Sequence, residues 1–422
     1  MDSDQRLARR RAARDRLGLP DVAGQGQLTA SLVVDSLGDG LFVPFAIVYF
    51  LHTTRLTLPA IGLGLSIAGL AAIGTVIPAG VLLDRFPPAR LVIAANLLSG
   101  VAFAGYLIVG QFWQLIAFAL LAAIGSRLYW TANLALIGDA FAAADRSRWF
   151  ALQRALRNTG FGLGGLLGSI AISVGSQAGY HALAAVNAVS YLIAAALVFR
   201  WSRRQRPAAG TAAGSAARAA GPAARGGFGA ALRDGAFMLI VATNLLFVLC
   251  ALVLDVLLAV YLIRALHEPA WLAGLLFALN TAVVAAGQTM MSSAAGRLRP
   301  GRMLQLSAAI WAISFGVFWA TGMLPRGAVI PVLFLAVLIF TAAEMVQGPA
   351  LNDLVVAIAP EPVRGRYLGV YQLSWGAGSA LAPALFSWLF SVGTVLPWSV
   401  LGLACAVWVI LLGALARRLP QF

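Results

Sequence analysis

The sequence predicts an all-α membrane protein of twelve transmembrane helices in two pseudo-symmetric six-helix bundles. Three observations carry this. Of the 422 residues, 61% are hydrophobic and 11% charged, against roughly half and about a quarter in soluble domains. Twelve apolar runs follow one another, each near the roughly 20 residues a helix needs to cross a bilayer, and nearly all the charge sits in the connectors. A stretch from Asp145, DRSRWFALQRALRNTG, aligns without gaps with VRGRYLGVYQLSWGAG from Val363, which marks an internal repeat.

In chain order the expected spans are 30–51, 58–82, 89–110, 112–138, 149–174, 180–200, 236–264, 270–293, 303–323, 328–350, 367–391 and 396–416. Buried helices of a soluble protein would carry polar faces at helical period, and these segments have none. Residues 1–29 form an Arg-rich N-terminal segment. The span after it is too long for a signal-peptide core, so the segment is expected to be retained. Residues 201–235 contain SRRQRPAAGTAAGSAARAAGPAARGG, low in complexity, and read as a flexible linker. The linker divides the spans six and six, into bundles over 30–200 and 236–416, with a tail over 417–422.

The charge orients the chain. All 30 basic residues are Arg, against 15 acidic ones. The absence of Lys excludes a Walker A phosphate loop. One side receives the N-terminal arginines, Arg85 and Arg90, Arg146 and Arg148, the linker, Arg297 to Arg302, Arg364 and Arg366, and Arg417 and Arg418. Arg154 and Arg157, in the first turns of span 5, are expected to snorkel to that side. The other side receives only Arg55, Arg264 and Arg326. The positive-inside rule then places both termini and the linker in the cytoplasm, in a multi-pass protein of the cell's inner membrane. The basic excess is a topology signal and a contact with anionic lipid, not a nucleic-acid interface. Cys250 and Cys405 lie inside apolar runs, which argues against a disulfide framework or a thiolate metal site.

Two further motifs are specific. The loop after span 2 reads GVLLDRFPPARL from Gly80, and span 5 contains GFGLGGLLGS from Gly160. The first resembles the major facilitator superfamily signature G-x-L-x-D-R-x-G-R-[KR]. Gly80, Leu82, Asp84 and Arg85 match; Pro87, Pro88 and Ala89 replace later positions, and Arg90 supplies a charge one place on. Its second-half counterpart, GRLRPGR from Gly296, is shorter and lacks the Asp. The second motif resembles the superfamily's antiporter motif G-x-x-x-G-P-x-x-G-G. Gly160, Gly164 and Gly168 match, Gly165 replaces Pro, and Ser169 replaces the last Gly. A structural role for these glycines is close helix packing in lipid. Together with the repeat, the resemblance covers nearly the whole chain and implies the major facilitator fold. It also implies that Asp84, Arg85 and Arg90 form a cytoplasmic gate with the start of span 11 and with Asp139 at the end of span 4.

An ionised side chain at the bilayer centre costs at least about 2.5–3.5 kcal/mol, so one that is kept is a functional candidate. Asp35 and Asp39 lie in span 1, Arg127 in span 4, Asp255 in span 7 and Glu344 in span 10. The resemblance implies that spans 1, 4, 7 and 10 line a central cavity, so every clearly intramembrane charge falls on a cavity helix. Asp35 and Asp39 are four apart, on one helix face. Two carboxylates so close repel when both are ionised, and Arg127 is the expected counter-ion for Asp39. These five residues are the expected proton-coupling groups; a fixed ion pair stapling spans 1 and 4 is the plainer alternative. Phe42, Tyr129, Trp130, Phe277, Asn280, Phe340, Gln347, Tyr371 and Trp375 are the expected substrate-cavity lining, with Met345, Gln288 and Gln372 nearby. Phe42, three residues past Asp39, shares its face. His52, His181 and His267 are interfacial, without metal-ligand spacing.

The expected activity is proton-coupled efflux of a hydrophobic or cationic small molecule, similar to the drug/proton antiporter branch and relevant to antibiotic resistance. The expected partners are a small-molecule substrate, protons and lipid, with the protein a monomer. No cofactor is expected beyond the proton gradient as energy source, and no metal. An importer or uniporter of a polar metabolite is less favoured, since the cavity spans offer few polar groups beyond the carboxylates. A lipid-handling protein of the same fold is the third possibility. No nucleophile–base constellation points to an enzyme.

Overall fold

A computed structural model describes residues 20, 22, 24–204, 232–295, 299–358 and 364–418. Most of the Arg-rich N-terminal segment, the linker core 205–231, part of the second-half loop and the last four residues lie outside the described residues, as does the Gln288 side chain. The first half runs α1 (Gly26–Phe42), a 3-10 turn (Val43–Phe45), α2 (Ala46–Thr53), α3 (Leu58–Ile73), α4 (Val76–Arg85), α5 (Pro88–Tyr106), α6 (Phe112–Ala140), α7 (Ala143–Ser173) and α8 (Gln177–Arg204). The second half runs α9 (Gly235–Ala251), short pieces α10 (Val253–Val256) and α11 (Leu258–Val260), and a π-helical turn (Tyr261–Ala265). It continues through α12 (Trp271–Ala295), α13 (Pro300–Thr321), α14 (Arg326–Ile358), α15 (Arg364–Val392) and α16 (Leu396–Arg418). No strand occurs among the described residues.

Each expected span falls on one of these helical stretches. Among the described residues, nine helices are long and apolar enough to cross a membrane, or ten if the bent pair α3–α4 is one span. The two shortfalls have plain causes. The first half of α7 carries Asp145, Arg146, Arg148, Arg154 and Arg157, and α12 is apolar only over Trp271–Gly287. Two crossings are broken near their middle. Pro44, which has no amide to donate, sits in the 3-10 turn after α1, and the α9 line breaks on both sides of Asp255.

Lipid tails are as apolar as leucine, so helices associate through close packing rather than through hydrophobic burial from water. Here α1 lies against α7 and α8, and α5 against α6 and α8; in the second half α13 packs on α14 and α16, and α12 on α14. The α1–α7 crossing depends on missing Cβ atoms. A Cβ on Gly164 would meet the Leu37 carbonyl and come within 2.7 Å of the Leu41 amide; one on Gly160 would stand 2.8 Å from the Ser36 Cβ. A Cβ on Gly168 would meet the Leu41 carbonyl, and one on Gly40 the backbone of Phe161.

The repeat also appears as a matched pair of tyrosine bonds. Tyr49 donates to the Tyr106 carbonyl at 3.0 Å, and Tyr261 to the Phe318 carbonyl at 2.9 Å. Each spans 57 residues and ties the first rod of its half to the third. Aromatic rings surround both: Phe42, Phe50 and Phe103 around the first, Trp398 against Tyr261 in the second.

The halves join along α3–α15 and α7–α12. Gly62 lies against Pro383 and Ser387, Ser66 Oγ accepts from the Ala384 amide at 2.9 Å, and Gly274 lies against Ser169. The 3-10 turn and α2 also touch α10 and α11. These contacts seal the end opposite the Arg-rich loops. At the Arg-rich end α4 packs on α5 and α6 of its own half.

Gly164→Ala is expected to destabilise the detergent-solubilised protein by about 1–3 kcal/mol, the usual cost of overpacking. Gly138→Ala, where nothing lies within 4 Å of the added Cβ, is the matched control and is expected to leave thermal unfolding unchanged.

Candidate functional site

The tight α1–α7 crossing decides where the charges sit. It turns Asp35 and Asp39, one helical turn apart, toward α7 and α8. Tyr191 on α8 donates its hydroxyl to Asp39 Oδ1 at 2.6 Å, and Arg157 Nη1 on α7 lies 3.9 Å from Asp39 Oδ2. The same guanidinium lies 4.4 Å over the Trp130 ring, a cation–π contact. Asp35 is buried deeper, at 4% exposure. Its Oδ1 has no hydrogen-bond partner, and the Tyr129 hydroxyl faces the carboxyl.

Beyond Arg157 opens a cavity of about 260 Å³ shared by both halves. Arg157, Asn158 and Phe161 line it from α7. Leu254 and Asp255 contribute from the broken rod, Phe277, Asn280, Thr281 and Val284 from α12, and Phe340 and Glu344 from α14. Asn280 Nδ2 donates to Glu344 Oε2 and to Thr341 Oγ1, both at 3.0 Å, which fixes the Glu344 carboxyl toward the cavity. Asp255 is within electrostatic reach of both Glu344 and Arg157. Phe161 and Phe277 pack at 5.1 Å between centroids and form an apolar wall.

Four carboxylates therefore surround one guanidinium: Asp35 and Asp39 behind it, Asp255 and Glu344 across the cavity. With all ionised, the formal charge is four negative against one positive, a net of −3. Away from bulk water such charges are poorly screened. An occupied, closed form of this site needs protons or a bound cation to offset the excess. The arrangement can thus hold either, and holding one works against the other.

Several placements differ from the sequence expectation. The counter-ion of Asp39 is Arg157, not Arg127. Arg127 is half-buried with no carboxylate within 4 Å among the described residues, and its guanidinium lies against Gly376 of α15, 3.3 Å from where a Cβ would stand. The cause is the helix start. Helix α7 begins at Ala143 rather than near 149, so Arg157 lies 14 residues in, about 21 Å along the axis at 1.5 Å per residue. That is too deep to snorkel, and the side chain turns inward instead. Phe42 is not cavity lining: it is 3% exposed, in the ring cluster with Tyr49, Phe103 and Tyr106, because α1 ends there and the 3-10 turn swings it toward α5.

Of the remaining expected lining residues, Phe277, Asn280 and Phe340 border the cavity with Asp255 and Glu344. Tyr129 packs with Leu28, Leu91 and Leu136 and supports Asp35; Trp130 lies under Arg157. Gln347 is buried, Tyr371 half-buried and Trp375 exposed, all outside the bordering set. At the Arg-rich end Gly80 has open space at its Cβ position, and Asp84, Arg85, Arg90 and Asp139 are exposed without ion partners among the described residues. Among the described residues the gate contacts implied by the motif are not made, and residues 359–363, just before α15, lie outside them. Both cysteines are buried free thiols.

Tyr191, Asn158 and Thr281 are site residues that sequence reasoning missed. Span 6 carries no intramembrane charge, so nothing in its composition singles out Tyr191.

A sequence model of the Major Facilitator Superfamily matches residues 28–383. A Na(+), Li(+), K(+)/H(+) antiporter of Planococcus maritimus is 24% identical over 368 residues, covering 81% of this chain and 83% of that protein. The multidrug resistance protein MdtH of Klebsiella pneumoniae is 23% identical, covering 86% and 87%. Among solved structures, a bacterial homologue of the iron transporter ferroportin, in an inward-facing state, aligns with a TM-score of 0.71 at 17% identity, over 93% of this chain and 99% of that one. The nucleoside transporter NupG aligns with a TM-score of 0.67 at 14% identity, over 92% and 97%. At these identities the solved structures show the shared fold.

A double-mutant cycle on unfolding in detergent separates the two arginines. Arg157→Gln and Asp39→Asn are expected to couple by about 0.5–3 kcal/mol, the range for groups in contact, whereas Arg127→Gln and Asp39→Asn are expected to add independently.

Proposed function

The chain belongs to the Major Facilitator Superfamily, and on that premise we propose that this transporter exports a compact cationic or hydrophobic small molecule in exchange for protons. One observation carries the reading: a single guanidinium among four carboxylates at a cavity shared by the two halves. A cationic substrate drawn to Asp255 and Glu344 offsets the same negative charge that protons offset. Each therefore displaces the other, which is the thermodynamic core of exchange. Rocking of the halves about the cavity then exposes it to alternate sides of the membrane. Phe161, Phe277, Phe340 and Val284 supply apolar contact, and Asn158, Asn280 and Thr281 orient the ligand.

Arg157 has a specific part in this cycle. It is a tethered cation already resting on Asp39 and Trp130, the contacts an organic cation would seek. In the empty site it keeps Asp39 partnered. When a substrate cation arrives, the two positive charges repel, and Arg157 is held back on Asp39 rather than released into the cavity. The positive-inside distribution assigns the Arg-rich end to the cytoplasm. Substrate would then enter from the cytoplasm and leave at the opposite face.

A second reading is exchange of an alkali cation for protons. The small volume of the cavity, its carboxylates and the similarity to the Na(+), Li(+), K(+)/H(+) antiporter of Planococcus maritimus favour it. Inorganic cations take oxygen ligands, which Asp255, Glu344 and Asn280 would provide.

Transport into everted membrane vesicles tests both. Accumulation of an organic cation is expected to collapse on addition of a protonophore and to be lost in Glu344→Gln, with expression and thermal stability retained. Sodium-dependent dissipation of the pH gradient without organic-cation uptake would select the second reading. Uptake indifferent to the protonophore and to Glu344→Gln would remove proton coupling through this site.

A further inference from the structure

The sealed end of the molecule holds a second cavity, about 540 Å³, at the seam between the halves. Arg55 and Thr57 reach it from the α2–α3 connection, Leu58 from the first turn of α3, Arg264 from the π-helical turn, and Phe390 and Ser391 from the end of α15. The two arginines belong to different halves, yet border one space. Neither has a carboxylate within 4 Å among the described residues. They are two of the three basic residues that the sequence places at this end at all. Arg264 also lies within electrostatic reach of Tyr180 on α8, across the seam.

The surroundings add positive potential. Helix α3 runs for 16 residues and starts at this cavity, and its N-cap residue, Thr57, makes no side-chain cap bond. The amides of Leu58 and Ala60 in that first turn (Pro59 has none) and the helix dipole favour an anion there. The Thr57 hydroxyl stands at the border as a further donor, whereas that of Ser391 already donates to the Trp388 carbonyl. Both arginines are exposed, so water screens their mutual repulsion in part, and an anion between them offsets it further. Guanidinium forks match a tetrahedral oxyanion through paired N–H bonds.

We propose that this cavity is a phosphate-binding site that bridges the two halves and holds this end closed. The group bound is a phosphate, either free inorganic phosphate or the headgroup phosphate of an anionic phospholipid reaching the rim. Engagement of both arginines at once requires the seam to be shut, because they ride on different halves. A ligand that binds one arrangement better shifts the population toward it by its differential affinity. Phosphate here therefore favours the form parted at the Arg-rich end and opposes opening at this face. The site does not depend on the identity of the transported molecule.

The test uses the full chain with spin labels at Gln177→Cys and Thr394→Cys, two exposed positions at this end in opposite halves. Reconstituted in phosphatidylcholine nanodiscs, the protein is titrated with inorganic phosphate while the inter-label distance distribution is read. A second arm replaces part of the phosphatidylcholine with phosphatidylglycerol and adds no phosphate. The expected result is a shift toward the short, closed distance. A response in the first arm identifies free phosphate as the ligand, and a response in the second arm alone identifies the headgroup. Arg55→Gln and Arg264→Gln are each expected to weaken the response by about tenfold or more, the scale of losing one charge-assisted pair. Arg326→Gln, at the same end but not bordering the cavity, is expected to respond as the parent does. No shift in either arm, or a parental midpoint in either cavity arginine variant, would overturn the site.

Discussion

A guanidinium held deep in the membrane against a carboxylate is the contact around which the remaining structure is arranged. Arg157 reaches Asp39 only because α1 and α7 cross closely, and they cross closely because Gly40, Gly160, Gly164 and Gly168 present no side chains to each other's backbones. Tyr191 donates to the other oxygen of the same carboxylate. The ion pair is thus a product of small-residue packing, the main source of helix affinity in lipid. Its outward face borders the cavity, where Asp255 and Glu344 from the second half complete the cluster. The charge imbalance thus lies across the seam between the halves.

The broken rods serve the same point. In the first half the 3-10 turn at Pro44 ends α1 one turn beyond Asp39 and lets the chain continue as α2 into the sealed end. In the second half Asp255 occupies a four-residue helical piece between two breaks. Irregular backbone is tolerated inside a membrane protein where it is buried or borders a cavity; Pro44 and Phe45 are buried at the first break, where Val43 is exposed, and Asp255 borders the cavity at the second. The paired tyrosine bonds, Tyr49 to Tyr106 and Tyr261 to Phe318, anchor the rods beyond the breaks to the third rod of each half.

Much of this was legible in the sequence, for identifiable reasons. Hydrophobic run length is a strong, local signal, and it placed every helical stretch. The scarcity of charge in apolar spans singled out Asp35, Asp39, Asp255 and Glu344, because only a few residues break such runs. What remained hidden were facts of depth and rotation. Reading span 5 from its apolar core put Arg157 in the first turns, when the helix had begun six residues earlier and carried that side chain inward. Arg127 looked equally central along its own span, but rotation about α6 turns it to Gly376 rather than to Asp39. Phe42 shares a nominal face with Asp39 only while the helix continues, and it stops there. Tyr191 and Thr281 carry no compositional mark; their roles exist only once two helices are in contact.

The most direct test of the central claim is proton release. Purified protein in weakly buffered detergent solution is mixed with tetraphenylphosphonium, and the pH change is read alongside cation binding. If protons and cation occupy the same carboxylate cluster, binding releases protons in proportion to the cation bound, and Glu344→Gln and Asp255→Asn diminish the release. Cation binding of undiminished affinity with no proton released across the titration would contradict exchange at this site.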